Sequence, residues 1–171
     1  MTFGEAVQTC FRKYVTFSGR ATRPEYWWFV LFVFLSSIVF SILDSAIFGN
    51  NPETGDGANV FNPIFQLAVF LPMLAAGWRR LHDTGRPGWY LLLPMALGVA
   101  TLVAIFSGIA VFSVLEGGVE DPDALRGPAA FLGLTGMIVV WVLQLVLSVM
   151  MIWWLTRPPQ DGDNAYGPPA A

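Results

Sequence analysis

Residues 89–115 read WYLLLPMALGVATLVAIFSGIAVFSVL and contain no charged side chain. A helix rises 1.5 Å per residue, so about 20 apolar residues cross the hydrocarbon core of a bilayer. This stretch is therefore predicted to cross a membrane as an α-helix.

The composition of the whole chain indicates the same environment. Of its 171 residues, 55% are hydrophobic and only 12% are charged, and the mean hydropathy is +0.59. An ordinary soluble domain has about 25% charged residues, and a chain this short has a large surface to present to solvent. A secreted disulfide scaffold needs several cysteines, and the chain has one. A soluble enzyme, a disordered chain and a disulfide scaffold are therefore poor fits, and we expect an integral membrane protein.

Three other stretches have the composition of membrane spans, so the predicted fold class is all-α with four transmembrane helices. With the first stretch, these spans cover about residues 26–48, 60–78, 89–115 and 131–155. The second span is the weakest because Asn62, Pro63, Gln66 and Pro72 interrupt it. Gln144 is the strongly polar residue of the fourth span. Without a carboxylate or lysine at depth, the spans argue against an ion-coupled transporter.

The basic residues set the orientation of these spans. Eight of the nine precede the first span, connect the second to the third, or follow the fourth. The other connections hold Arg126 alone among acidic residues that include Glu53, Asp56, Glu120 and Asp121. Loops rich in Lys and Arg stay in the cytoplasm. We therefore expect a multi-pass membrane protein with both termini in the cytoplasm.

The segment before the first span has a helical pattern of its own. Thr2 and Glu5 have the spacing of a capping box, and apolar residues follow at helical steps: Phe3, Val7, Cys10, Tyr14 and Phe17. This pattern predicts an amphipathic helix over residues 1–18 that lies in the inner headgroup layer and ends near Gly19. A helix packed on the ends of the bundle fits equally well. No cleavable signal peptide is expected, and the remaining segments are a transmembrane domain over 19–156 and a cytoplasmic tail over 157–171.

Three polar segments, residues 19–25, 79–86 and 162–167, are predicted to meet at the cytoplasmic face. Their arginines are the candidate binders of an anion or lipid: Arg20, Arg23, Arg79, Arg80 and Arg86. Their other polar side chains form a candidate network: Glu25, His82, Asp83, Asp163, Asn164 and Tyr166.

The same segments carry a family resemblance. GRATRPEYWWF (19–29), RRLHDTGRPGWY (79–90) and GDNAYGPP (162–169) together make the chain resemble the domain of unknown function 805 family of bacterial inner-membrane proteins. The resemblance implies a small polytopic membrane protein and supplies no activity, substrate or catalytic residue. The acidic loop 116–128 is longer than a minimal member would need.

Several functions fit this inventory. Arginine forks bind phosphate, and basic pockets at the cytoplasmic ends of spans hold anionic headgroups. This favours a non-enzymatic module that binds anionic lipid or a partner protein, although the arginines also serve as topology signals. An oligomeric pore or transporter lined by Gln66 and Gln144 is an alternative. A phospholipid-headgroup enzyme that uses His82 and Asp83 is another, so whether the chain is an enzyme stays open.

Further expectations concern ligands and pairing. One histidine and one cysteine are too few for a zinc site, so we expect no metal and no cofactor. No nucleic acid is expected as a partner, and a homo-oligomer is expected because four helices enclose little volume. Neighbouring residues on a helix do not face each other, so Asp83 is expected to cap a helix or pair with Arg20 or Arg23. Asp163 is expected to pair with an arginine and hold the tail as a latch; the alternative is a frayed tail.

The predicted orientation is testable with reporter fusions. Green fluorescent protein joined after Ala171 should fluoresce, because it folds in the cytoplasm, and alkaline phosphatase joined at the same place should be inactive. The reverse pattern in bacterial cells would contradict the positive-inside assignment.

Overall fold

The computed structural model describes residues 1–49, 59–116 and 123–170. These residues form five α-helices, with a 3-10 helix at Gly88–Leu92 before the fourth. The helices are α1 (Phe3–Arg12), α2 (Arg23–Phe48), α3 (Phe61–Asp83), α4 (Leu93–Glu116) and α5 (Asp123–Thr156). Four stretches of helix in the described part of the chain are long and apolar enough to cross a membrane: Arg23–Phe48, Phe61–Asp83, Gly88–Gly108 and Gly133–Thr156. The all-α prediction with four membrane-capable helices is therefore confirmed.

Two helices end at other residues than the predicted segments. The second predicted span covers about residues 60–78, and α3 continues to Asp83, so the polar residues 79–83 lie on the same helix. Ion pairs of Arg79 and Asp83 within the protein replace the water that a loop would provide. α1 ends at Arg12, well before Gly19. The acidic residues Glu53, Asp56, Glu120 and Asp121, and residues 117–122 of the acidic loop, lie outside the described residues.

The contacts divide the chain into two compact units. The first contains Met1–Gly88 together with Trp154–Ala171, and the second contains Trp89–Trp153. The last turn of α5 therefore belongs to the first unit, which also holds every predicted site residue except Gln144. Gln144 lies half-buried on the part of α5 that belongs to the second unit.

α1 packs against α2 in the first unit. The predicted capping box is present, because Thr2 Oγ1 accepts from the Glu5 amide and Glu5 Oε2 accepts from the Thr2 amide at 2.7 Å. The hydrogen bond from the Thr2 amide to the charged carboxylate is the main cause that lowers the pKa of Glu5. The ring of Phe11 meets Phe29 and Phe32 edge-on. These contacts fit the packed-helix alternative, in which the bundle covers part of α1.

The segment after α1 completes the hydrogen bonding of α3. Pro72 lies inside α3 and has no amide hydrogen, so the carbonyl of Ala68, four residues earlier, lacks its helical donor. The hydroxyl of Tyr14 donates to this carbonyl at 2.5 Å, and the ring of Phe17 packs edge-on against Trp78. The chain leaves the helical conformation after Arg12, and Tyr14 and Phe17 contact α3 from this non-helical segment.

The N-terminal end of α3 is capped by a side chain of α2. Val60 precedes α3 and offers no side-chain cap. The carboxylate of Asp44 instead accepts from the amides of Val60, Phe61 and Asn62 at 3.1, 2.8 and 2.9 Å, and Asp44 is only 1% exposed. A negative charge is favourable at a helix N-terminus, where free amides and the helix dipole present positive charge. Asp44 therefore joins the two helices and caps the second.

Polar side chains also link α2 and α3 along their length. Gln66 Nε2 donates to Ser37 Oγ at 2.7 Å, and Asn62 Nδ2 donates to Ser41 Oγ at 3.0 Å. Hydrogen bonds of this kind hold membrane helices together. Gln66 thus has a structural contact on the neighbouring helix.

Asp44→Ala should lower the free energy of unfolding by about 1–2 kcal/mol, because the first amides of α3 lose their cap. Unfolding in mixed micelles, followed by tryptophan fluorescence, measures this loss. Ile42→Ala removes a 62% exposed side chain from the same helix and is the control. Equal stability of the Asp44→Ala and Ile42→Ala proteins would contradict the capping role.

A buried arginine cluster as candidate functional site

Five charged residues are buried together in the first unit. We call them the arginine cluster: Arg20, Glu25, Arg79, Arg80 and Asp83, none more than 5% exposed. They come from the segment before α2, from the first turn of α2 and from the end of α3. Charged side chains are almost never fully buried unless they are paired, so the location of their partners decides what the cluster can do.

Asp83 is shared by two arginines. Its Oδ1 accepts from Arg20 Nε at 2.8 Å, and its Oδ2 accepts from Arg80 Nη1. Arg80 and Asp83 are three residues apart on α3, where side chains lie on the same face. The sequence analysis expected Asp83 to pair with Arg20 or Arg23, and Arg20 is the partner that the structure shows. Both carboxylate oxygens are therefore occupied.

A second ion pair joins α3 to α2. Arg79 Nη1 donates to Glu25 Oε1 at 2.5 Å. Within the described part of the chain, Arg79 Nε and Nη2 have no hydrogen-bond partner. The thiol of Cys10 on α1 is 3.8 Å from the Glu25 carbonyl, and burial, followed by the charge of Glu25, raises the pKa of Cys10 to about 12. Cys10 therefore stays a protonated, buried thiol and is a poor nucleophile.

The remaining donors of Arg20 and Arg80 go to backbone carbonyls. Arg20 Nη1 donates to the Gly162 carbonyl at 2.7 Å, and Arg20 Nη2 donates to the Gln160 carbonyl at 2.6 Å. Arg80 Nε donates to the Leu155 carbonyl at 3.0 Å, and its Nη2 donates to the Arg157 carbonyl. The last carbonyls of a helix lack intrahelical donors, and a cation there is favourable. Arg80 therefore caps the end of α5.

The tail, residues 157–170, is docked on the end of α3 by further contacts. The ring of Tyr166 stacks on His82 with centroids 3.8 Å apart and planes inclined by 5°. Asn164 Nδ2 donates to the His82 carbonyl at 2.9 Å, and the Gln160 amide donates to the Asp83 carbonyl at 2.8 Å. These contacts agree with the latch and not with the frayed tail.

The ring of His82 contacts a backbone carbonyl of the protein. His82 Nδ1 is 3.1 Å from the Gly19 carbonyl, and a carbonyl only accepts, so Nδ1 carries the proton. Within the described residues, no three His, Cys, Asp or Glu side chains come together as possible metal ligands.

The expected role of Asp163 is wrong. Asp163 is exposed, and the ion pairs found among the described residues do not include it. The tail binds Arg20 through carbonyls of residues 160 and 162 instead. Sequence reasoning missed these two residues because every residue carries a backbone carbonyl, so no side-chain pattern marks them.

The other two predicted arginines lie at the outer rim of the cluster. Arg23 is exposed and its Nε donates to the Arg157 carbonyl at 2.8 Å. Arg86 is half-buried, and its guanidinium lies 5.2 Å from the centre of the Trp154 ring. A pocket of about 280 Å³ opens beside Arg23. Its other lining residues come from the start of α2, the end of α3 and the tail: Thr22, Pro24, Asp83, Pro159, Gln160, Asp161, Gly162, Pro169 and Ala170.

Removal of one partner of the Arg79–Glu25 ion pair should destabilise the protein more than removal of both partners. Glu25→Gln leaves the Arg79 charge buried without compensation and should lower the free energy of unfolding by about 3–5 kcal/mol. The double variant Glu25→Gln with Arg79→Met should recover most of this loss. Unfolding in mixed micelles measures both variants, with Asp163→Asn as the exposed control. A double variant less stable than Glu25→Gln alone would contradict this account of the pair.

Similar proteins are found in bacterial inner membranes. The inner membrane protein YhaH of Escherichia coli (strain K12) is 36% identical over 94 residues, which cover 55% of this chain and 75% of YhaH. The inner membrane protein YhaI of the same strain is 35% identical over 106 residues, which cover 62% of this chain and 80% of YhaI. No solved structure gives a significant match.

The match to a family is more extensive. The family described as "Protein of unknown function (DUF805)" matches residues 14–168, which include all three polar segments of the cluster and its rim. The chain therefore belongs to the DUF805 family, as its sequence motifs predicted.

Proposed function

We propose that the chain is a non-catalytic module of the bacterial inner membrane that binds anionic lipid headgroups at its cytoplasmic face. The binding site is the rim of the arginine cluster, formed by Arg23 and Arg86. The observation that supports it is the difference in exposure among the arginines: Arg20, Arg79 and Arg80 are buried, whereas Arg23 is exposed and Arg86 is half-buried.

The rim has the chemistry of a headgroup site. A guanidinium offers several N–H donors in one plane, which match the oxygens of a phosphate. The Nε of Arg23 is bonded to a backbone carbonyl and Arg23 lines the pocket, so its two Nη groups are the donors that we assign to a ligand. Trp154 stacks with Arg86, and tryptophan is enriched at the headgroup level of membranes.

The location also fits a lipid. α2 begins at Arg23 and α3 ends at Asp83, and both are apolar enough to cross the membrane. The rim lies at the ends of these helices, so it is expected at the level of the headgroups. Basic pockets at the cytoplasmic ends of spans are known sites for anionic lipids.

The two alternative functions have less geometric support. An enzyme that uses His82 and Asp83 would need to release a carboxylate held by two arginines and a ring stacked on Tyr166. A pore would need Gln66 to face a path, whereas its amide is bonded to Ser37. A partner protein at the rim and a homo-oligomer remain predictions.

The test compares lipid retention in matched charge variants. Native mass spectrometry from a mild detergent, with added phosphatidylglycerol or phosphatidylcholine, should show preferential retention of phosphatidylglycerol by the wild-type protein. Arg23→Gln and Arg86→Gln should each reduce that retention by about tenfold, the effect of about one charged hydrogen bond. Arg12→Gln removes the same charge from the exposed surface of α1 and should have little effect.

Substitution of Asp161 should change phosphatidylglycerol retention in the opposite direction. Its carboxylate lines the pocket beside Arg23 and opposes an anion there, so Asp161→Asn should increase phosphatidylglycerol retention. Equal losses in Arg12→Gln and Arg23→Gln, or no preference for phosphatidylglycerol, would contradict the proposal.

A further inference from the structure

The fork of Arg20 is occupied by the chain's own tail. Its two Nη groups donate to the carbonyl oxygens of Gly162 and Gln160 at 2.7 and 2.6 Å, while its Nε is held by Asp83 at 2.8 Å. A phosphate or carboxylate binds a guanidinium in the same way, with two oxygens on two N–H groups. The tail thus places two neutral oxygens where an anion would place two charged ones.

The charge of the cluster favours an anionic occupant. Three guanidiniums and two carboxylates are buried together, which leaves one positive charge in excess. Burial of an uncompensated charge is costly, and a carbonyl dipole compensates it less well than a formal negative charge.

An approach to the fork is also present. The 280 Å³ pocket is lined by Arg23, Gln160 and Gly162 among others, so the residues that cover Arg20 form part of its wall. Residues 160–163 are exposed, whereas the tail is anchored beyond them by Asn164 and Tyr166. Displacement of residues 160–162 therefore opens the pocket toward Arg20.

We propose that the tail is an exchangeable occupant of the Arg20 fork, and that the phosphate of an anionic lipid headgroup displaces the carbonyls of Gln160 and Gly162 and takes their place. This inference rests on the proposed function and adds its regulation: the docked tail weakens headgroup binding, and headgroup binding releases the tail.

Hydrogen exchange of the wild-type protein tests the release directly. In nanodiscs of phosphatidylcholine, the amides of Gln160 and Tyr166 should be protected, because they donate to the Asp83 carbonyl and to Asn164 Oδ1. Addition of phosphatidylglycerol to the discs should accelerate exchange in residues 157–167, while exchange in α2 stays the same. Tail exchange that does not change with phosphatidylglycerol would overturn the proposal.

Variants of the tail anchors Asn164 and Tyr166 test whether the tail competes with the lipid phosphate for Arg20. Asn164→Ala and Tyr166→Ala each remove an anchor of the tail and should raise phosphatidylglycerol retention by about fivefold, the effect of about one hydrogen bond. Ala165→Ser changes an exposed residue in the same turn and should match the wild type. Faster tail exchange in Asn164→Ala without any gain in retention would overturn the competition.

The outcomes separate this inference from the proposed function. The proposed function fails when the wild-type protein shows no Arg23-dependent preference for phosphatidylglycerol. The inference alone fails when that preference is present but the tail stays protected. Inorganic phosphate added to phosphatidylcholine discs distinguishes the source of the phosphate: tail release by inorganic phosphate and not by phosphatidylglycerol would overturn a lipid as the occupant.

Discussion

The carboxylate of Asp83 is the acceptor on which the first unit depends. It receives one hydrogen bond from Arg20, before α2, and one from Arg80, on its own helix. The other N–H groups of the two arginines donate to backbone carbonyls of the tail and of the last turn of α5. A single buried carboxylate thereby positions the guanidiniums that join segments far apart in the sequence. Its neutralisation would leave two buried cations without their main counter-charge, a costly arrangement in a low-dielectric interior.

The division of the arginines into a buried set and an outer set relates this structure to function. A topology signal requires only a positive charge near the membrane. Arg79 and Arg80 do more, because their burial and pairing join α3 to α2 and to the last turn of α5. Arg23 is exposed and Arg86 is half-buried, so neither belongs to the fully buried set. Binding at the rim is thus compatible with a stable fold, whereas binding at the buried set requires the tail to move.

The sequence was sufficient for the helices and for the set of residues that meet. Long apolar stretches identify membrane-capable helices because the bilayer imposes a length, and the topology brings the polar segments to one end. It was insufficient where a backbone group is the partner. The contact of Tyr14 with the Ala68 carbonyl depends on a proline four residues beyond, and the tail carbonyls carry no side-chain signal. The capping of α3 by Asp44 depends on a tertiary contact between two helices, which no local sequence pattern marks.

The measurement that tests this account most directly is hydrogen exchange of the Asp83→Asn protein, with Asp163→Asn as the matched control. Asp83→Asn should accelerate exchange at three places together: residues 19–22, the last turn of α3, and residues 157–167 of the tail. Asp163→Asn removes an exposed carboxylate and should leave all three unchanged. Faster exchange confined to the last turn of α3, with the tail still protected, would contradict the central role of Asp83.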